Sequence, residues 1–268
     1  MNSPQTRWLG QSTLTPLKYS PDILEPIPRM PSHVFEGEDQ WFLYELSWLT
    51  PSGRPDFRNA TLTIPATSPA MVESKSLKLY LNSLNQEIFE NATEFEKRVT
   101  KDISEIVGAV PQWKWGTPIR LALMDDGSDG SMSTLHETDL ISLDDQTLLT
   151  TDIASDNAVD QARHFLQGVA QSSPQLWMTR LFRSLCPVTG QPDWAKICIH
   201  MEGQGPSPQA LLTYLLSYRR HSGFHEQCAE RICEDLWQQC SISYLEVKAY
   251  FMPRGGISIN PRRSLRRI

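Results

Sequence analysis

Cys186 and Asp193 bracket the segment Cys186-Pro187-Val188-Thr189-Gly190-Gln191-Pro192-Asp193. Leu176–Leu185 before it and Ala195–Met201 after it read as strands, so a tight hairpin would bring thiol and carboxyl to its mouth. A thiolate there could act as a nucleophile, and the carboxyl could give or take the proton that the chemistry moves. The same two residues also have a plainer use, as a small buried cysteine and a turn-forming aspartate. His225-Glu226 opens a downstream helix, with His225 four residues before Ala229 and so turned toward the apolar stripe. Such a histidine is either a satisfied core residue or an acid/base group in a cleft. Glu226 in the first turn also suits the helix dipole. With Cys186 they make a Cys/His/carboxyl set that fits several reaction types.

A second constellation lies far upstream. Glu73-Ser74-Lys75-Ser76-Leu77-Lys78 opens a helix, with Glu73 toward its apolar side and Ser74 a candidate cap. A carboxylate there could accept two N–H donors from a planar heterocycle. Lys75 and Lys78 could meet phosphate or only water. Met252-Pro253-Arg254-Gly255-Gly256 reads as a hairpin turn, in which the glycines allow close backbone approach and Arg254 could hold a phosphate. Cys233 and Cys240 fall on an apolar stripe and Cys228 just off it. Neither CxxC nor HExxH spacing occurs, so no metal site is expected. Nor does a GxGxxG follow a strand, which leaves a Rossmann site unsupported.

The elements that must position these groups occur twice. Gln40–Trp48 alternates as a strand, Pro51-Ser52-Gly53 turns it, and Ala60–Ile64 returns. A helix follows with Leu77, Tyr80, Leu81, Leu84 and Ile88 on one stripe, then another with Phe95, Val99, Ile103 and Ile106. Ile119–Met124 reads as a strand, and the acidic stretch Asp125–Asp160 as a further strand with a linker. The later half repeats the plan with Leu211, Tyr214, Leu215 and Tyr218 on one helix and Ala229, Ile232, Cys233 and Leu236 on the next. Leu245–Phe251 and Ile257–Asn260 close it as strands. Ser47 and Ser184, Gly53 and Gly190, Pro55 and Pro192, and Asp56 and Asp193 each lie 137 positions apart. A duplicated unit is the natural reading. The copies differ where chemistry could sit: Leu49 stands opposite Cys186, and Glu90-Asn91 opposite His225-Glu226.

The chain has 268 residues, room for two domains of ordinary size, with 40% hydrophobic and 21% charged residues and a net charge of −6. That composition is globular, and its acidic balance disfavours a whole-molecule nucleic-acid binder. Arg254, Arg262, Arg263, Arg266 and Arg267 crowd the end as either a solvated tail or a local phosphate site. No apolar run is long enough for a transmembrane helix, and the first twenty residues lack a signal-peptide core. A cytoplasmic, reducing location and five free cysteines are therefore expected.

Glu73-Ser74-Lys75-Ser76-Leu77-Lys78-Leu79-Tyr80 resembles the signature of the nitrile oxidoreductase family of the queuosine pathway. Cys186–Trp194, Phe224–Ile232 and Arg254–Ser264 resemble that family's other blocks in the same order. The resemblance implies an α+β fold of two tandem tunnelling-fold units, each an antiparallel sheet with helices on one face. Its boundaries would be an irregular arm over 1–35, a first unit over 36–155 and a second over 156–268. It implies reduction of the nitrile of 7-cyano-7-deazaguanine by NADPH, through a covalent thioimide on Cys186. Asp193 would be the proton donor, and His225 would assist proton transfer. Val72, Glu73, Ser74, Phe224, His225 and Glu226 would contact the deazapurine; Ser74, Lys75, Arg254 and Gly255 would contact NADPH. A homodimer, with no direct nucleic-acid or membrane partner, is implied as well. Two other classes share these residues: a Cys-His-Asp amide hydrolase, and a non-catalytic purine- or pterin-binding module.

Overall fold

The computed structural model describes residue 7 and residues 16–29, 35–116, 140–150, 152–167 and 175–267. The expected strand at Ile119–Met124 lies outside them. The chain divides into two compact units: one takes the described residues of Met1–Pro31, Glu38–Ile119 and Pro253–Ile259, the other those of Ser32–Gly37, Arg120–Met252 and Asn260–Ile268.

In unit 1, strand β1 (Pro26–Pro28) pairs antiparallel with β4 (Ala70–Val72), so part of the stretch expected to be an irregular arm is ordered. Strand β2 (Glu36–Leu49) pairs antiparallel with β3 (Pro55–Pro65), and β3 with β5 (Gln112–Trp115). Helices α1 (Ser74–Ser83) and α2 (Ala92–Val107) cover the sheet. Trp41, Leu43, Leu62 and Ile64 bury into one core with Leu77, Tyr80, Phe95, Val99 and Ile103. The alternation of β2 and β3 sends one set of side chains to the helices, and the helical stripes meet it. Ile88 departs from expectation: it lies beyond the end of α1 and is exposed.

Unit 2 repeats the plan. Strand β7 (Gln175–Leu185) pairs antiparallel with β8 (Pro192–Gln204), β8 with β9 (Ser241–Phe251), and β9 with β10 (Ile257–Arg266). A two-residue strand, β6 (Ile141–Ser142), runs parallel to β7, so the sheet is dominantly rather than wholly antiparallel. Helices α3 (Ala158–Ala162), α4 (Pro208–Leu216) and α5 (His225–Gln239) complete the unit. Phe182, Ile197, Val247, Leu211, Tyr214, Ile232 and Leu236 share its core. Cys228 belongs to that core too, where the stripe had put it just outside.

The duplication extends to single hydrogen bonds. Tyr80 Oη donates to Asp102 Oδ2 at 2.6 Å, and Tyr214 Oη to Asp235 Oδ2 at 2.7 Å. Ser83 and Ser217 each donate to the carbonyl of the tyrosine three residues earlier, both at 2.6 Å. Leu49 N–H reaches Glu87 O at 2.9 Å and Leu185 N–H reaches His221 O at 2.8 Å, so Leu49 matches Leu185. Thr50 rather than Leu49 therefore stands where Cys186 does, because the second hairpin turn is one residue longer. Gly53 and Gly190 occupy the same left-handed turn position, at φ 78° and 66°. The arginine-rich end is a strand, not a solvated tail. Arg263 is fully buried against Glu230, Arg262 pairs with Glu246 at 3.0 Å, and Arg266 lies over the Tyr244 ring.

Candidate active site

Unit 2 gathers the nucleophile set. β7 ends at Leu185, and the next residue, Cys186, opens the turn: its N–H bonds Gln191 O at 2.9 Å and its carbonyl accepts from Gly190 N–H at 3.0 Å. These bonds hold the thiol at the head of the hairpin, where it is 8% exposed. Asp193 is the second residue of β8 and is 5% exposed. Its counterpart Asp56 accepts from the N–H of Phe57 and pairs with Arg58 at the surface, a local turn role. Asp193 instead faces His225, with Oδ2 3.4 Å from Nε2. That separation is within ion-pair range but long for a hydrogen bond.

His225 is the first residue of α5. Phe224 caps the helix with its backbone, the N–H donating to Gln227 Oε1 at 3.3 Å. The His225 ring lies on Phe251 of β9, with centroids 3.8 Å apart and planes 1° apart, and its Nδ1 is buried without a protein partner. Glu226 is buried in the first turn. Cys186, Asp193, Phe224, His225 and Glu226 therefore all belong to this unit, and such a set can supply a nucleophile, an acid and an orienting imidazole. Phe251 is the member that sequence reasoning missed. By spacing it reads only as a strand residue, since nothing there distinguishes an aromatic that stacks on an imidazole from one that fills a core.

Three of the other thiols are poor candidates for a nucleophile. Burial pushes the Cys228 thiol up to about 12 and the Cys240 thiol to about 12, and raises Cys233 as well. Their desolvation disfavours the thiolate form that a nucleophile needs.

Unit 1 holds the other set. Glu73, not Ser74, is the N-cap of α1. Its carboxylate accepts from Lys75 N–H at 2.8 Å and Ser76 N–H at 2.7 Å, and Ser74 Oγ donates to it at 3.3 Å. Burial raises its pKa against the lowering effect of those bonds. Val72 is buried in β4, while Ser74 and Lys75 are half-buried. Arg254 and Ile257 close a two-residue turn over Gly255 and Gly256, both at positive φ (56° and 79°), as a tight hairpin demands. A Cβ on Gly256 would stand 2.4 Å from the Glu45 carboxyl carbon, so that glycine makes room for Glu45. Glu45 in turn pairs with Lys78 at 2.6 Å, beside Gly255. Lys75, Lys78 and Arg254 are cationic residues of unit 1, of which Lys78 is paired with Glu45. Among the described residues, no cluster of His, Cys, Asp and Glu could hold a metal ion, and no helix is long and apolar enough to cross a membrane.

The family model for the N-terminal part of nitrile reductase, 7-cyano-7-deazaguanine reductase, matches residues 16–112. The model for QueF-like protein matches residues 192–267. The NADPH-dependent 7-cyano-7-deazaguanine reductase of Stenotrophomonas maltophilia (strain K279a) is 38% identical over 98% of this chain and 94% of its own. The enzyme of the same name from Xylella fastidiosa (strain 9a5c) is 38% identical with the same coverage. That from Acinetobacter baumannii is 37% identical over 95% of this chain and 92% of its own.

Proposed function

Because this chain belongs to the NADPH-dependent 7-cyano-7-deazaguanine reductase family, we propose that it reduces the nitrile of 7-cyano-7-deazaguanine to the aminomethyl group, a step of queuosine tRNA modification. The observation that carries this reading is the buried Cys186 and Asp193 of unit 2 with the half-buried His225 facing Asp193.

A nitrile carbon is a weak electrophile, which suits a soft sulfur nucleophile. Cys186 Sγ adds to that carbon; a C–S bond forms, one C–N π bond breaks, and the nitrogen takes a proton. Asp193 holds that proton, and the imidazole of His225 beside it orients the carboxyl and relays the next one. Phe251 keeps the imidazole in plane. NADPH, when bound, supplies a hydride in each of two steps, making a four-electron reduction. The C–S bond breaks on the way to the amine, and Cys186 is recovered as a thiol. Phe224, His225 and Glu226 of unit 2, and Val72, Glu73 and Ser74 of unit 1, are assigned to the deazapurine. Glu73 Oε2 keeps a second lone pair beyond its bond from Ser76 N–H, whereas Oε1 already accepts from both Lys75 N–H and Ser74 Oγ. Ser74, Lys75, Arg254 and Gly255 are assigned to NADPH.

Each unit is read as a tunnelling fold, on the strength of its repeated strand–strand–helix–helix plan. Sheets with open edges favour self-association, so a homodimer in the cytoplasm, without nucleic-acid or membrane partners, completes the proposal. The test is to mix protein, NADPH and 7-cyano-7-deazaguanine and follow nicotinamide absorbance. Oxidation together with a mass-spectrometric adduct lost in Cys186→Ala is the expected result. Turnover by Cys186→Ala would overturn the nucleophile, and no oxidation by micromolar wild-type enzyme would overturn the reductase reading.

A further inference from the structure

Strand alternation turns Asp193 inward and the next residue, Trp194, outward, where its indole is 41% exposed. Two arginines attend that ring. Arg183 is its cross-strand partner on β7, with its guanidinium carbon 5.9 Å from the ring centroid. Arg219, in the 3-10 turn after α4, stands at 5.9 Å as well. Arg183 Nη2 donates to the Arg219 carbonyl at 3.1 Å, which ties the pair together. Both guanidiniums sit near the ~6 Å outer limit of a cation–π contact, so neither covers the indole.

Neither has an acidic partner among the described residues, and Arg183 Nε is buried without an acceptor. Other arginines of this unit are paired: Arg220 with Asp156 at 3.1 Å, Arg262 with Glu246 at 3.0 Å and Arg263 with Glu230 at 2.8 Å. Two like charges held together on one exposed indole, uncompensated, are ready for an anion. The duplication supplies an internal control. In unit 1 the exposed Phe57 replaces Trp194, its cross-strand partner is Ser47 where Trp194 has Arg183, and the segment matching Arg219 holds Leu84 and Asn85. The cations occur only in the unit that carries Cys186.

We propose that Trp194, Arg183 and Arg219 form a nucleotide subsite, in which an aromatic base stacks on the indole and a phosphate monoester meets both guanidiniums. Under the reductase reading, on which this identification rests, the 2′-phosphoadenosine end of NADPH has that chemistry; a free nucleoside phosphate has it too.

Calorimetric titration of the full chain with 2′,5′-ADP, with inorganic phosphate and with a short single-stranded RNA tests the subsite without turnover. Arg219→Ala and Trp194→Leu should each weaken 2′,5′-ADP by about tenfold, and Arg219→Lys by less, because a lysine keeps the charge but loses the fork. Phosphate binding should fall with Arg219→Ala and not with Trp194→Leu. Thermal unfolding of each variant keeps a folding defect from passing as a binding one. A raised KM for NADPH at unchanged kcat places the cofactor there; an unchanged KM with weakened 2′,5′-ADP places a free nucleotide there. Equal 2′,5′-ADP affinity in wild type and all folded variants, or binding of RNA alone, overturns the proposal. Failure of wild type to oxidise NADPH would overturn the reductase reading and leave these titrations standing.

Discussion

The imidazole of His225 lies flat on the ring of Phe251, 3.8 Å away and 1° from parallel, while its Nε2 stands 3.4 Å from Asp193 Oδ2. The first contact limits the second. A ring clamped against an aromatic face cannot rotate freely about its bond to Cβ, so the nitrogen stays aimed at the carboxyl.

Phe251→Leu should therefore lower kcat by about tenfold while costing only about 2 kcal/mol of stability, the scale of a partial core truncation. Steady-state rates and thermal unfolding on the same preparation check this. A variant as active as wild type would show that the stacking has no catalytic consequence.

Asp193→Asn should still form the Cys186 adduct, more slowly and with water supplying the nitrogen's proton, and reduction should slow by about 10²–10⁴-fold. Mass spectrometry reads the adduct and nicotinamide absorbance the rate. Unchanged turnover would return Asp193 to the turn role that Asp56 plays.

His221 gives a pH dependence of defined sign. Burial, aided by the nearby Arg231 charge, pushes its pKa down from 6.5 to about 4. The unfolded chain thus binds the proton more readily, and stability is lost as pH falls through that window, by up to about 3 kcal/mol. Unfolding midpoints should drop between pH 6.5 and 4 in wild type and fall less in His221→Gln. Parallel curves would exclude His221 as the cause.

Glu45 holds Lys78 at 2.6 Å beside Gly255 and Gly256. If Lys78 serves phosphate, Glu45 competes with it. Glu45→Gln should lower the KM for NADPH by about threefold at low salt, with stability changed by less than about 1 kcal/mol because the pair is exposed. An unchanged or raised KM would assign Lys78 to Glu45 alone.

Most of the element plan was legible from alternation and turn residues, because a strand or helix shows its buried face in its own periodicity. Boundaries drifted where the pattern outran the element, as at Ile88, an apolar residue left exposed beyond α1. Ser74 looked like a cap by type, yet Glu73 caps α1, because the backbone turns one residue earlier and its longer side chain reaches two N–H groups. The arginine-rich end looked like a tail because strand pairing depends on partners distant in sequence.

What the sequence determined on its own is the duplicated plan, the family, and the short segments holding Cys186, Asp193, Glu73 and His225, since these rest on residue type and spacing. Only the tertiary structure decided which side chains face one another within each unit. Asp193 turns to His225 where Asp56 turns to Arg58, Phe251 lies under the imidazole, and Arg183 and Arg219 meet on Trp194. Apart from Asp56–Arg58 within β3, each of these contacts joins residues from different elements, and local periodicity carries no information about which side chains meet when those elements pack.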